Sequence, residues 1–215
     1  KIGEAEIMAD AADDLLMAYT AVDQGRCTRL ADLAQRKTAR VAIDSTCAAD
    51  NLADAARRTG SKIGILVDVD VGMCRTGVQS PKAALELAQY IAGSRSLRLD
   101  GIMIYPGHVW SAREQQQPAL AKIAEHLVEI IDLWRQKGLE AAIVSGGSTP
   151  TAYQSHLIPQ LTEIRPGTYI FNDMNTVRGG FCEISDCSAR VVCTVVSNAV
   201  PGQVVIDAGS KTLSS

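Results

Sequence analysis

Two hydrophobic rhythms take turns along this chain. The first is helical: Ile2, Ala5, Ile7, Met8 and Ala12 share one face, with Glu4, Glu6 and Asp10 opposite. The second is the short apolar run of a strand. Residues 15–19 read as a strand and 26–36 as a helix, then 40–44 and 48–59 repeat the pair. Residues 62–71 hold the longest β-branched run, Ile63-Gly64-Ile65-Leu66-Val67 continuing to Val71. A run of that kind suits a strand covered on both faces, as in a parallel sheet. Its helix spans 81–92, with Ser80 as N-cap and Pro81 in the first helical position. Strands at 97–105, 141–144 and 161–164 follow, with a long helix over 114–137 stopped by Gly138 and a short one over 150–156.

About six strands, most followed by a helix, predict a parallel sheet with helices packed on it. The fold class is α/β, a partial (β/α)8 barrel; one or two strands are expected before Lys1, because a full barrel has eight. A doubly wound open sheet is the alternative, weakened because no Gly-x-Gly-x-x-Gly turn follows the first strand. After residue 177 the pattern changes. Arg178-Gly179-Gly180 breaks the chain, a valine-rich stretch covers 189–197, Pro201-Gly202 makes a turn, and 204–207 form another strand. This hairpin-like material reads as the start of a β-domain. The expected division is 1–177 for the barrel and 178–215 for the beginning of the β-domain.

With 47% apolar and 21% charged residues among 215, a sizeable core is available, and a net charge of −3 argues against a nucleic-acid partner. No apolar run has membrane length and no signal peptide is visible. Of the six cysteines only Cys182 and Cys187 lie close in sequence, which is poor as a metal signature, so reduced cysteines of a cytoplasmic enzyme are expected.

The chemistry is concentrated where strands end. Asp70-Val71-Gly72-Met73-Cys74-Arg75-Thr76-Gly77 presents a guanidinium between two glycines. Asp68 and Asp70 alternate along one face, placed to buttress Arg75 or to form a polar layer inside the barrel. Tyr105-Pro106-Gly107-His108 closes the next strand; Tyr105 can stack on a planar ligand, and His108 is either a general acid or base or merely exposed. His126 and His156 read as structural, and Trp110 and Trp134 as packing. Ser145-Gly146-Gly147-Ser148-Thr149 precedes a helix, so its backbone and hydroxyls suit an anion, although an ordinary capped Gly-Ser turn has the same composition. No lysine stands in a P-loop position there. Arg165-Pro166-Gly167-Thr168-Tyr169 ends the following strand, where such barrels often bind phosphate; a surface arginine before a rigid turn is the plainer reading.

These motifs, in this order, resemble the fold-type III pyridoxal-phosphate enzymes, in particular the D-threonine aldolase and D-serine dehydratase branch related to alanine racemase. Lys1-Ile2-Gly3-Glu4-Ala5-Glu6 and Asp207-Ala208-Gly209-Ser210-Lys211 also look like that branch. The resemblance implies pyridoxal 5'-phosphate as cofactor. It places Arg75 on the phenolate oxygen, Tyr105 by the pyridine ring, Arg165 near the ring nitrogen, and Ser148, Thr149, Gly167 and Thr168 on the phosphate, helped by Ser145, Gly146, Gly147 and Tyr169. Tyr105 and His108 are the candidate catalytic groups. The implied activity is a lyase acting on β-hydroxy D-amino acids, by aldol cleavage or by dehydration. A racemase, a non-catalytic carrier of the cofactor, and a barrel for another phosphorylated ligand are the other readings. The family's covalent lysine is expected before Lys1, and its divalent metal (manganese, magnesium or zinc) is expected only through a C-terminal part beyond this chain. A homodimer with a small-molecule substrate is implied, without nucleic acid or membrane.

Overall fold

The computed structural model describes residues 1–209 and 212. It divides into two compact units, Lys1–Gly167 and the residues from Thr168 onward.

The first unit opens with helix α1 (Ile2–Met8), whose N-cap is Lys1, as the helical periodicity predicts. Six strands follow: β1 (Asp14–Met17), β2 (Thr38–Ile43), β3 (Ile63–Val69), β4 (Leu97–Ile104), β5 (Ile143–Gly146) and β6 (Glu163–Ile164). All pair in parallel and stand in the sheet in their order along the chain. That order overturns the doubly wound alternative, which needs a reversal of strand order at a switch point. A sequential parallel sheet with crossovers of one hand keeps its helices on one face and curls toward a barrel.

The connecting helices are α2 (Gln24–Ala34), α3 (Thr46–Thr59), α4 (Pro81–Ala92) and α5 (Gln117–Gln136). Each start has a local cause. The side chains of Asp23, Ser45 and Ser80 accept the N–H groups of Arg26, Ala48 and Ala83, so one orphan donor is satisfied at each end. The outer face of the sheet (Val41, Ile43, Ile65, Val67, Ile102, Ile104, Val144) packs with Leu30, Leu52, Ile91, Leu127 and Trp134 of the helices in one core. The inner face is thinner. Ala42, Leu66 and Met103 make a small separate cluster flanked by Leu16 and Ile143.

At one end of the inner face an ion network takes over from apolar packing. Arg40 donates to Asp14 and to Asp100, 2.7 Å away, and Arg98 also reaches Asp100. At the other end, beyond the C-termini of the strands, lie the loops that carry the candidate chemistry.

Several elements differ from expectation for identifiable reasons. The helix expected over 114–137 splits: Arg113–Gln115 is a 3-10 turn and α5 begins at Gln117, because the Gln116 side chain turns inward. The helix expected over 150–156 is a 3-10 helix, Ala152–Leu157. Its start is delayed by the Thr151 hydroxyl, which bonds back onto Ser148. Trp134 is buried as expected, but Trp110 is not a packing residue; it is 46% exposed, with its indole N–H donating to the Gly107 carbonyl.

In the second unit, α6 (Met174–Arg178) is capped by Asp173, and β7 (Val195–Ser197) pairs antiparallel with β8 (Val205–Ile206). The strand expected over 189–197 shrinks to β7, since the short β8 offers a ladder to only those residues. No helix among the described residues is long and apolar enough to cross a membrane.

Candidate active site

The arginine loop is built by backbone hydrogen bonds to carboxylates. After β3 the chain leaves the sheet and returns, bridging Val69 to Val78 in parallel. Asp70 accepts the N–H groups of Gly72 and Cys74, each at 3.0 Å, and Asp44, just past β2, accepts the N–H of Gly77 at 3.0 Å. Asp68 and Thr76 line the same small space, and the Asp68 backbone carbonyl accepts the Val78 N–H at 2.9 Å. Two carboxylates thus hold one loop, and the residue they present is Arg75, whose guanidinium lies 4.7 Å from the centre of the Tyr105 ring. The cation–π geometry orients both groups. Gly107 makes the ring position possible: a Cβ there would come within 2.1 Å of the Tyr105 ring. Asp68, Asp70, Met73, Arg75, Thr76 and Tyr105 line the small space between loop and ring. No lysine among the described residues lines it.

The electrostatics follow from burial. Burial raises the Asp68 carboxyl; the Thr76 hydroxyl opposes this, nearby Asp44 reinforces it, and Arg165 and Arg75 pull it down without cancelling it. For Asp70 burial also raises the carboxyl, yet the N–H donors of Cys74 and Gly72 with the Gln79 side chain outweigh it, and the group ends below the ordinary carboxylate value. Arg165 is pushed below the usual guanidinium value by burial, partly offset by Glu163, Asp68 and Tyr105.

Arg165 is therefore not a surface arginine. It donates to Ser145 Oγ and, at 2.8 Å, to the Ile104 carbonyl, which ties β4, β5 and the end of β6 together. Ser145 in turn donates to Glu163. Its hydroxyl is committed to this inner network, whereas the resemblance groups it with the phosphate helpers.

The glycine loop is held from within. Thr151, which ends the motif over 145–151 but has no role assigned to it from the sequence, is 1% exposed; its Oγ1 accepts the Ser148 N–H at 3.1 Å and lies 3.0 Å from Ser148 Oγ. Gly146 and Gly147 are buried beside it. The Thr149 hydroxyl is also buried and has no protein partner. An orphaned hydroxyl in a glycine loop at a strand end is the donor set an anion needs, so these residues fit a phosphate group.

His108 faces elsewhere. Its ring packs against Gly72, and it lines a separate cleft with Asp70, Gln79, Lys122 and His126, not the space beside Tyr105. Gly167 closes the first unit. Thr168 and Tyr169 open the second, in an exposed 3-10 turn. All six cysteines are free thiols, and no cluster of three or more metal-ligating side chains occurs among the described residues.

A parallel, sequentially ordered sheet with these loops at its C-terminal edge defines a barrel-type domain with its candidate site at the strand ends. Residues 2–175 match the model of the alanine racemase N-terminal domain, and the chain belongs to that family of fold-type III pyridoxal-phosphate proteins. The chain is 29% identical to 3-hydroxy-D-aspartate aldolase of Paracoccus denitrificans (strain Pd 1222), over 100% of this chain and 58% of the relative. It is 31% identical to D-threo-3-hydroxyaspartate dehydratase of Delftia sp. (strain HT23), over 80% of this chain and 46% of the relative. The crystal structure of D-threonine aldolase from Filomicrobium marinum superposes with a TM-score of 0.85 at 28% identity, covering 98% of this chain and 59% of that one. The chain thus spans about half the length of the curated relatives it matches.

Proposed function

We propose that the protein is a pyridoxal-phosphate-dependent lyase acting on β-hydroxy D-amino acids. The observation that carries this reading is the succession of strand ends: Arg75 laid on Tyr105, Arg165 half-buried against Ser145, and a glycine loop with an unpartnered Thr149 hydroxyl. The names of the relatives, two aldolases and a dehydratase, support the substrate class.

The residues fit the cofactor as follows. Ser148, Thr149 and the backbone of Gly146, Gly147 and Gly167 take the phosphate. Tyr105 lies along the ring, Arg75 supplies a cation for the phenolate oxygen, and Arg165 offers a fixed positive charge toward the ring nitrogen. When bound, the cofactor supplies the electron sink that makes the bonds to the substrate α-carbon labile. The chain's own contribution is charge placement and exclusion of water. Arg165 cannot turn toward solvent while Ser145 Oγ and the Ile104 carbonyl hold it. Tyr105, half-buried under Arg75, is the aromatic hydroxyl at the edge of the site, whereas His108 lines the neighbouring cleft. A divalent metal, a homodimer and a cytoplasmic location complete the proposal.

The test uses the full-length protein. Pyridoxal 5'-phosphate is added and its visible absorption followed; D-threonine, D-serine and 3-hydroxy-D-aspartate are then assayed with and without a chelator. Saturable spectral change with chelator-sensitive release of an aldehyde or a keto acid is expected. Absence of any spectral change would overturn the reading, and chelator-insensitive racemisation would replace it with the racemase.

A further inference from the structure

A buried glutamine connects the loop after β4 to the glycine loop. Gln116, the N-cap of α5, is fully buried; its Nε2 donates to the Ser111 carbonyl at 3.0 Å and to the Pro150 carbonyl at 3.1 Å. Two carbonyl acceptors fix which end of the amide is nitrogen. The Pro150 carbonyl belongs to the peptide group that carries the Thr151 N–H, so holding it sets the orientation of Thr151. The Thr151 hydroxyl then accepts the Ser148 N–H at 3.1 Å and pairs with Ser148 Oγ at 3.0 Å. Hydrogen bonds at both ends of the Pro150–Thr151 peptide thus connect the start of α5 to the centre of the glycine loop. A second contact joins the same two segments: the Arg113 guanidinium lies 4.2 Å from the centre of the Tyr153 ring.

The interior tolerates a cost to keep this path. Gln116 Oε1 is buried without a partner, and so is the Thr149 hydroxyl. An apolar side chain at 116 would avoid the unpaired oxygen, so simple core packing does not account for an amide there. Its two N–H donors do.

We infer that Gln116 and Thr151 are positioning residues for the anion cup. They act through Ser148, without touching the anion, to hold the loop in the shape that leaves the Thr149 hydroxyl for a phosphate. The identity of that phosphate as the cofactor's rests on the function proposed above.

The experiment compares dissociation constants of the full chain for pyridoxal 5'-phosphate, for pyridoxal, which lacks the phosphate, and for inorganic phosphate. Thr151→Val removes the hydroxyl at constant shape, and Thr151→Ser restores it. Gln116→Met keeps the length of the side chain and removes both donors, and Gln116→Leu serves if the methionine variant does not fold. Loss of one hydrogen bond that shapes the cup weakens pyridoxal 5'-phosphate and inorganic phosphate by about tenfold. Pyridoxal should change by less than about twofold by the same reasoning, since it makes no use of the cup. Thr151→Ser should recover the wild-type values. Equal weakening of pyridoxal and its phosphate, or no weakening in Thr151→Val, overturns the inference. A wild-type protein that binds phosphate but does not prefer pyridoxal 5'-phosphate to pyridoxal overturns the proposed function alone. A wild-type protein that binds neither phosphate nor the cofactor overturns both.

Discussion

An exposed reporter of the site is a residue with no assigned role in it. Cys74 precedes Arg75, is exposed, and sits at φ 53°, a conformation fixed by its N–H bond to Asp70. Cys27 is its opposite: buried in α2 with its thiol pushed up to about 11, mainly by desolvation. A brief pulse of a thiol reagent at about pH 8, near the usual thiol value, should modify Cys74 and the exposed Cys47 and Cys193 while leaving Cys27 intact until unfolding. Pyridoxal 5'-phosphate should slow modification of Cys74 and leave Cys47 unaffected. Peptide mass mapping reads both effects, and equal rates at Cys74 with and without the ligand would separate this loop from the binding site. The same loop shows what can be read at the level of single residues. Arg75 is legible in the sequence because a cation between two glycines at a strand end is unusual, while Tyr105 and Arg165 stand out only as an aromatic ring and a cation before Pro-Gly turns at strand ends. Asp44, Gln116 and Thr151 are ordinary polar residues whose importance comes from burial and from partners 33, 34 and 3 positions away. No local pattern encodes that.

At the scale of elements, the parallel strands and α4 are legible because their causes are local: apolar runs, an N-cap serine and a proline in the first turn. What escaped was set by tertiary contact. β4 carries a register shift opposite Ile65 and Leu66, with Asp100 as the additional residue. The bulge turns the Asp100 carboxylate toward Arg40 and Arg98, and it places Gly101 at φ 153° against β5. A Cβ on Gly101 would lie 1.8 Å from the Ile143 carbonyl oxygen. Backbone, not a flexible side chain, blocks that position, so nothing nearby can yield cheaply. Gly101→Ala is expected to destabilise the protein by about 3 kcal/mol or more, measured as a lower midpoint of urea unfolding with an unchanged slope. Gly60→Ala is the control: Gly60 ends α3 in the left-handed region, but nothing lies within 4 Å of its Cβ. It should cost only about 1 kcal/mol, as usual for a left-handed cap. Equal losses at the two positions would refute the close-approach argument.

For the molecule as a whole, two aspartates, Asp68 in β3 and Asp70 just past its end, push stability in opposite directions with pH. Asp70 ends below its ordinary value, so its contribution is present above about pH 3.9 and is lost as the pH falls through the folded value. Asp68 is raised, chiefly by burial, so the folded protein holds its proton more tightly than the unfolded chain. Its penalty is absent below about pH 3.9 and grows as the pH rises toward and through the folded value, reaching its full size above it. Asp68→Asn removes the charge and keeps an oxygen that can accept the Thr76 hydroxyl. The variant should therefore be more stable than the wild type at pH 7, with the difference closing as the pH approaches about 4. Urea unfolding across that range measures it. The attraction of Arg75 and Arg165 works against this outcome, and a variant less stable at pH 7 would show that the two guanidinium groups outweigh burial. If burial wins, an ionisable carboxyl is being kept at a stability cost in the wall of the space shared by Arg75 and Tyr105. That cost is the mark of a group retained for what it does to the two arginines and their ligand, not for the fold. Asp68→Asn should then weaken binding of pyridoxal 5'-phosphate even as it stabilises the protein.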